Sequence, residues 1–417
     1  MSKTALPAPT KPLGLFEAFG VELEYVIVDS DSLSVRPLAD EVIRAAQGKF
    51  ASDAVFPDIT WSNELVLHVI ELKTTGPAER LAPLLGRFQH HVERINGILE
   101  PLGARLLPTA MHPWMNPARE TRLWPHEYSA VYEAYDRIFD CRGHGWSNLQ
   151  SLHMNLPFRG DEEFGKLHAA VRFLLPILPS LAAGSPIMEG RLTGLMDYRL
   201  QAYRQNQRRV PSITARVVPE PVFTEAEYRE KILRKIYSDI APYDPEGILR
   251  EEWLNSRGAI ARFERNSIEV RVLDMQECPW ADLSLYAFIV AVLKRLVAEE
   301  WTHMRDLQGW GVERLAAIFE GAIERAEELE IRDARYLRCF GLEAESSSAA
   351  DLWRHLFDQV SNRELDMIWR GPLEHILERG TLARRIVSAA GRSPSRARLR
   401  SVYGRLADCL RQGVLFE

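Results

Sequence analysis

The sequence has little that would place the protein in a membrane or on a nucleic acid. Its longest apolar stretches, residues 173–181 and 287–293, are short or broken by proline and fall below the length of a membrane span. Acidic residues outnumber basic ones by 58 to 52, so no surplus positive charge is available to hold a polyanion. We therefore expect neither nucleic acid nor a membrane among the partners.

Cysteine is scarce, and a targeting segment is not evident. The four cysteines are Cys141, Cys278, Cys339 and Cys409. Their scattered positions, without CxxC spacing, argue against a zinc ribbon or a disulfide framework. The first twenty residues contain three prolines but no continuous apolar core, so residues 1–14 are expected to form a flexible tail and not a secretory signal. These features predict a cytoplasmic protein with reduced thiols.

Three common signatures of nucleotide and zinc sites are also missing. The sequence contains no Walker A motif (G-x-x-x-x-G-K-[ST]), no opening G-x-G-x-x-G and no H-E-x-x-H. Any bound nucleotide would therefore be held through metal ions and arginines and not through a glycine-rich loop.

The sequence does contain predicted strands that have one apolar face and one polar face. Three segments alternate between apolar and polar residues, namely residues 19–28, 150–158 and 267–274. Their polar faces carry titratable side chains: Glu22, Glu24, His153, Glu269 and Arg271. Three separate strands that each expose an acid or a histidine favour one shared acidic site over three coincidences. Oxygen-rich sites of this kind suit Mg²⁺ or Mn²⁺ better than Zn²⁺.

The polar face of each strand also has a purely structural explanation. Strand carboxylates are often simply exposed to solvent, and a lone histidine is more often a structural residue with its hydrogen bonds made than a metal ligand. Glu269 and Arg271 could form ion pairs across strands with Arg262 or Glu264. The two carboxylates at Glu22 and Glu24 repel each other unless a cation lies between them. Replacing either with glutamine is therefore expected to leave the metal-free fold intact or slightly more stable.

Glu64 and Glu71 are harder to place from spacing. In one continuous strand, the odd separation would put them on opposite faces, and only a bulge or a break would let both reach one site. From spacing alone this pair carries little weight.

The remaining periodicity sets the predicted fold. Helical patterns cover residues 38–49, 78–99, 281–300, 311–328, 349–359, 371–389 and 395–412. Strands at 259–264 and 267–274 are separated by Arg265 and Asn266, which predicts a tight hairpin, and residues 184–223 are typical of a functional loop. Together they predict an α+β fold whose antiparallel sheet has helices on one face and is open on the other. We expect a catalytic domain at 15–300 and a helical region at 301–417 packed on it.

Several segments resemble the type 2 glutamate-cysteine ligase family, whose members share the curved antiparallel sheet of glutamine synthetase. The resemblance is carried by residues 20–25 (GVELEY), 64–71, 151–155 (SLHMN), 184–199 and 268–274 (IEVRVLD). It implies an ATP-dependent ligase that joins a carboxylic acid to an amine through an acyl phosphate, with ATP and Mg²⁺, or Mn²⁺, as cofactors. Its partners would be a small-molecule acid and a small-molecule amine. Whether the protein forms a homo-oligomer is not decided by the sequence.

The resemblance also assigns roles to residues. It implies metal ligands at Glu22, Glu24, Glu64, Glu71, His153 and Glu269. It implies catalytic roles for Arg271 and Glu269, and substrate binding by Arg191, Tyr198, Arg199 and Asn155. Leu195 and Asn155 depart from residues that are common in the family, which leaves the amine, and the acid, undecided. A phosphotransferase, an amide hydrolase and a silent binding protein remain as alternatives on this fold.

Overall fold

A computed structural model describes residues 12–361 and 364–417, in which strands and helices alternate up to residue 300 and helices dominate after it. The strands are β1 (Gly20–Asp29), β2 (Asp53–Val55), β3 (Ile59–Asn63), β4 (Val69–Thr74), β5 (Ala104–Leu107), β6 (Ser151–Pro157), β7 (Ile187–Met188), β8 (Arg191–Leu192), β9 (Ala259–Arg262), β10 (Ser267–Asp274), β11 (Glu330–Ile331) and β12 (Ser347–Ser348).

The α-helices of the same ranges are α1 (Ala39–Gln47), α2 (Ala82–Leu99), α3 (Pro117–Glu120), α4 (Ser129–Phe139), α5 (His144–Ser147), α6 (Gly160–Leu174), α7 (Pro179–Ala182), α8 (Tyr198–Tyr203), α9 (Glu225–Tyr228), α10 (Arg234–Ile240), α11 (Pro279–Val297), α12 (Met304–Gln308), α13 (Val312–Arg325), α14 (Ala334–Arg338), α15 (Ala349–Val360), α16 (Met367–Arg379), α17 (Leu382–Ala390) and α18 (Arg396–Gln412). No helix within these ranges is long and apolar enough to cross a membrane.

One antiparallel sheet of eight strands organises the molecule. Its order is β2-β3-β4-β1-β6-β10-β9, and β5 pairs with the second half of β1. The predicted α+β fold with an antiparallel sheet is therefore confirmed. The first half of β1 lies between β4 and β6, so its side chains are at the centre of the sheet.

The apolar face of β1 forms the back of the sheet. Val21, Leu23 and Tyr25 are buried in the main core, which also contains apolar residues of α2, α6 and α11. α11 is buried along most of its length because it packs against helices as well as the sheet. From this side, the Tyr286 hydroxyl of α11 donates to the Gly20 carbonyl at 3.2 Å. The back layer therefore fixes the strands whose other face carries the acids.

The front face of β1 is half polar and half apolar. Beyond Glu22 and Glu24 it continues with Val26 and Val28, which are buried in a second apolar cluster together with residues of α17 and α18. The C-terminal helices thus cover one end of the front face. The predicted boundary at residue 300 stays a prediction, and α11 packs against α15 and α16 across it.

Several predicted boundaries were wrong for local reasons. The helix predicted at 371–389 is two helices, because Gly380 interrupts it with φ of 89° and Thr381 caps the second one. The second predicted helix begins at Ala82 and not at residue 78, because Ala78 pairs with Phe19 instead. Of the predicted tail at 1–14, residues 1–11 lie outside the described residues.

Candidate active site

Strand register places the polar stripes side by side on the front face. Glu24 of β1 is opposite Glu71 of β4, and Glu22 is opposite His153 of β6. Directly opposed residues of antiparallel strands project to the same face, so three strands contribute to one cluster. The sequence predicted a shared site for β1, β6 and β10, and the register brings these three together with β4, because Glu269 of β10 is opposite Asn155 of β6.

His153 lies at the centre of the cluster. Its Nδ1 is 3.1 Å from Glu22 Oε2 and 3.8 Å from Glu269 Oε1, and its Nε2 is 3.9 Å from Glu24 Oε1. The Ser151 hydroxyl lies 2.9 Å from Nε2. One imidazole therefore contacts carboxylates on three sides.

Two groups of three potential metal ligands share this histidine. One is Glu22, His153 and Glu269, and the other is Glu24, Glu71 and His153, with the ligand atoms of each group within 4.8 Å of one another. Each group offers two carboxylates and one ring nitrogen, a donor set that fits a hard divalent cation. The residues present on this face therefore fit Mg²⁺ or Mn²⁺.

Basic side chains balance the acids in the metal-free arrangement. Lys73 Nζ lies 2.7 Å from Glu71 Oε2, and Arg262 Nη1 lies 3.2 Å from Glu269 Oε2. Arg271 pairs with the other oxygen of Glu269. The ion pair between Glu269 and Arg262, considered above as a purely structural explanation, therefore exists alongside the cluster and does not replace it.

The charges of the cluster shift several pKa values in opposite directions. Burial alone would raise the pKa of Glu22, but the hydrogen bond to His153, the charge of His153 and that of Lys73 hold it well below its usual value. Burial raises the pKa of Glu24 to about 7, and the nearby charge of Glu64 adds to the rise. Burial would lower the pKa of His153, yet its bond to Glu22 and the charges of the other acids raise it to about 9. In the absence of metal, the imidazolium therefore provides the positive charge between the carboxylates.

Comparison with known proteins gives the family. A family model described as glutamate-cysteine ligase family 2 matches residues 18–403. The chain belongs to glutamate-cysteine ligase family 2. The resemblance noted from the sequence motifs is thereby confirmed.

Two relatives are similar to this chain over different lengths. An uncharacterized protein of Archaeoglobus fulgidus is 33% identical over 356 residues, which are 83% of this chain and 94% of that protein. A putative glutamate--cysteine ligase 2-3 of Rubrobacter xylanophilus is 27% identical over 188 residues, which are 44% of this chain and 47% of the relative.

Solved structures resemble the fold at low sequence identity. A glutamate-cysteine ligase of Francisella tularensis, solved in complex with AMP, has a TM-score of 0.61 and 12% identity and covers 96% of this chain and 90% of that one. A bifunctional glutathione synthetase of Pasteurella multocida has a TM-score of 0.56 and 16% identity, covering 94% of this chain and 52% of that one. At these identities the likeness concerns the fold alone.

The break that Glu64 and Glu71 would need in order to reach one site is present in this family member. β3 ends at Asn63 and β4 begins at Val69, so Glu64 lies in the connection and Glu71 inside the next strand. Because the two residues do not lie in one continuous strand, their odd separation does not prevent both from facing one site. Glu71 enters a ligand group, whereas Glu64 belongs to neither group found among the described residues, although its charge raises the pKa of Glu24.

The residues assigned to substrate binding have diverse surroundings in this ligase-family chain. Asn155 donates from Nδ2 to Glu22 Oε1 at 3.0 Å, so it holds a cluster carboxylate. Arg191 is exposed on the short β7–β8 hairpin, and Tyr198 is half-buried at the start of α8. Arg199 is buried and paired with Asp274. The substrate role of each stays a prediction.

Three residues in or beside the cluster were given no role by the sequence reasoning. Ser151 donates from its backbone N–H to Glu24 Oε2 at 2.6 Å, and it had a sequence signal because it precedes His153 by two positions on the same stripe. Lys73 had a similar signal, two positions after Glu71. Asp274, which is fully buried, had none beyond lying at the end of β10.

Proposed function

We propose that this protein is an ATP-dependent carboxylate-amine ligase that forms a γ-glutamyl or similar amide through an acyl phosphate. The observation that carries the proposal is the pair of ligand groups that share His153, with Arg271 on the same strand face two residues from Glu269. Family membership over residues 18–403 supports the same activity.

The ligand groups would hold Mg²⁺ or Mn²⁺. Glu22, His153 and Glu269 form one set of donors and Glu24 and Glu71 complete the other, with the role of Glu64 left as a further prediction. Bound there together with ATP, the ions would neutralise charge on the phosphate oxygens, which is the main requirement of phosphoryl transfer.

The chain's own residues orient and balance this site. Ser151 and Asn155 donate hydrogen bonds to Glu24 and Glu22 and so fix the direction in which these carboxylates point. Arg271 is permanently charged and is held on the front face by Glu269. A planar guanidinium in this position suits the equatorial oxygens of a phosphoryl group in transfer.

The proposed reaction needs no covalent attachment to the protein. An oxygen of the acid attacks the γ-phosphorus of ATP, the bond to the β,γ-bridging oxygen breaks, and ADP leaves. The amine nitrogen then attacks the acyl carbon, loses a proton and expels phosphate, which gives the amide. Consistent with this order of steps, all four cysteines are buried, so no thiol is exposed to act as a nucleophile.

Glutamate as the acid and cysteine as one candidate amine are proposed from similarity. The Rubrobacter relative and the Francisella structure are both named as glutamate--cysteine ligases, and the latter was solved with AMP. The departures at Leu195 and Asn155 are the reason to keep the amine open.

A substrate screen tests the proposed function. Purified protein is incubated with ATP, Mg²⁺ and pairs of amino acids, while ADP, phosphate and the organic product are followed by mass spectrometry. We expect ADP formation to require a divalent metal and an acid, and an amide to accumulate only when an amine is present. A phosphorylated guanidine, or a cleaved amide without ATP consumption, as the only product would contradict the ligase and favour the phosphotransferase or the hydrolase.

A further inference from the structure

A buried carboxylate joins the loop after α7 to the strand that carries Arg271. Asp274, the last residue of β10, accepts hydrogen bonds from the Gly184 N–H at 2.8 Å and from the Ser185 hydroxyl at 2.6 Å. Its other oxygen accepts from Nε of Arg199. The carboxylate therefore ties both ends of residues 184–199 to the edge of the metal-ligand cluster.

Arg199 extends this tie to the backbone of the candidate catalytic arginine. Its Nη1 donates to the Arg271 carbonyl at 3.3 Å, while the Arg199 backbone N–H donates to the Ser185 hydroxyl at 3.0 Å. One guanidinium thus spans Asp274 and Arg271 on β10. Because β10 has a register irregularity between Val270 and Leu273, its ladder to β6 does not hold residue 271. The Arg271 backbone is held instead by its N–H, which donates to the Gly258 carbonyl at 2.9 Å, and by the hydrogen bond from Arg199 to its carbonyl.

Arg199 is enclosed by the protein. Its side chain is 2% exposed and that of Asp274 is 0% exposed. Arg191, on the hairpin inside the same loop, is exposed. Asp274 is also opposite Ser151 in the sheet, and Ser151 holds Glu24 and contacts His153. The pair of Arg199 and Asp274 therefore adjoins two strands of the site, β10 and β6.

We propose that Arg199 and Asp274 form a positioning pair that fixes the backbone of Arg271 and the loop 184–199 relative to the metal-ligand strands, and that Arg199 is not a substrate ligand. The proposal rests on the proposed function for its kinetic consequence, although the positioning itself is a property of the folded chain. Misplacing a transition-state group by about an ångström can lower turnover by about a hundredfold without weakening ground-state binding.

The test uses Arg199→Lys with a chemically matched control. Lysine keeps the charge beside Asp274 but lacks the fork that reaches two acceptors at once. Arg385 provides the control, because it too is a buried arginine that joins a buried carboxylate, Glu277, to a backbone carbonyl, that of Phe416 at 2.7 Å. Arg385→Lys should therefore lose comparable stability without affecting the site.

Kinetics distinguish the possible roles of Arg199. We expect Arg199→Lys to lower kcat by about tenfold or more, with KM for ATP and for the acid within about twofold of wild type. Arg385→Lys should keep the wild-type kcat. A rise of about tenfold in KM for the acid or ATP with kcat retained would instead identify a substrate ligand and overturn the proposal. Equal kcat in both lysine variants would reduce the pair to ordinary structural support.

Hydrogen exchange tests the positioning without any turnover. Peptides covering residues 184–199 and 267–274 should exchange faster in Arg199→Lys than in wild type, and should be unchanged in Arg385→Lys. If exchange in these two segments is the same in all three proteins, the proposal is overturned even when the wild type ligates. If the wild type consumes no ATP with any substrate pair while these segments loosen as expected, the proposed function fails and the positioning pair stands.

Discussion

Glu22 and Glu24 should respond oppositely to the same substitution in the metal-free protein. Glu24 has its pKa raised to about 7 from a usual value of 4.5, chiefly by burial, whereas the pKa of Glu22 is well below that value because of His153 and Lys73. The electrostatic cost expected from the sequence for both residues therefore falls on Glu24 alone, where burial, with the charge of Glu64, is its source. Glu24→Gln should stabilise the metal-free protein above pH 7, and Glu22→Gln should destabilise it.

The magnitude for Glu24 follows from linkage. A pKa that rises from 4.5 in the unfolded chain to about 7 in the fold costs the ionised form roughly 3 kcal/mol of stability at pH 8 or above. A group with a raised pKa contributes its stability below pH 4.5 and loses it as the pH passes about 7. Glutamine keeps an acceptor for the Ser151 N–H but removes a charge that attracts His153, so we expect a net gain of about 1–2 kcal/mol at pH 8 and almost none at pH 5.

Urea unfolding in EDTA at pH 5 and pH 8 measures this difference. Exposed Glu345 provides a control, since Glu345→Gln should change the free energy of unfolding by less than about 0.5 kcal/mol at either pH. Added Mg²⁺ should stabilise the wild type but neither cluster variant, and both should lose ligase activity. Glu24→Gln that is less stable than wild type at pH 8 in EDTA would refute the reasoning, because it would make Glu24 a structural partner.

The remaining predictions concern metal binding, catalysis and packing. Mg²⁺ affinity should rise between about pH 6 and pH 9, because His153 with a pKa of about 9 and Glu24 with one of about 7 must lose protons to bind the ion. Calorimetry in two buffers should detect proton release, and a Mg²⁺ affinity that does not change with pH would count against the ligand set. Arg271→Lys should lower kcat by about a hundredfold while ATP binding changes little, and nearly full turnover in steady-state kinetics would remove its catalytic role. Gly258→Ala should cost about 1–3 kcal/mol in thermal unfolding, because its Cβ would lie 2.5 Å from Val272 Cγ1, and an unchanged Tm would contradict that packing.

The parts of the site predicted from sequence are those that depend on local alternation. A strand of period two places Glu22 with Glu24, and Glu269 with Arg271, whatever their partners are. Helical periodicity located α1, α2, α11, α13, α15 and α18 to within a few residues at most ends, whereas α4 and α6 were not predicted. The order of the strands was not readable, because pairing between β1, β4 and β6 joins residues far apart in sequence.

The features that the sequence left open depend on contacts between distant residues. Nothing in the pattern of residues 64–72 located the turn that separates β3 from β4, so the spacing of Glu64 and Glu71 could not show whether both reach one site. The burial of Arg199 depends on Asp274, 75 residues away, and no local signal distinguishes a buried arginine from an exposed one. Arg191 and Arg199 looked alike in sequence and differ in the structure only because the fold covers one of them.

Isotope transfer from the acid to phosphate tests the central claim most directly. With the acid's carboxylate labelled with ¹⁸O, attack on the γ-phosphorus and later displacement by the amine should place one labelled oxygen in the released phosphate, together with ADP, and Glu24→Gln should abolish the transfer. Amide formation accompanied by unlabelled phosphate, or by label in AMP, would contradict the acyl phosphate and with it the proposed use of this cluster.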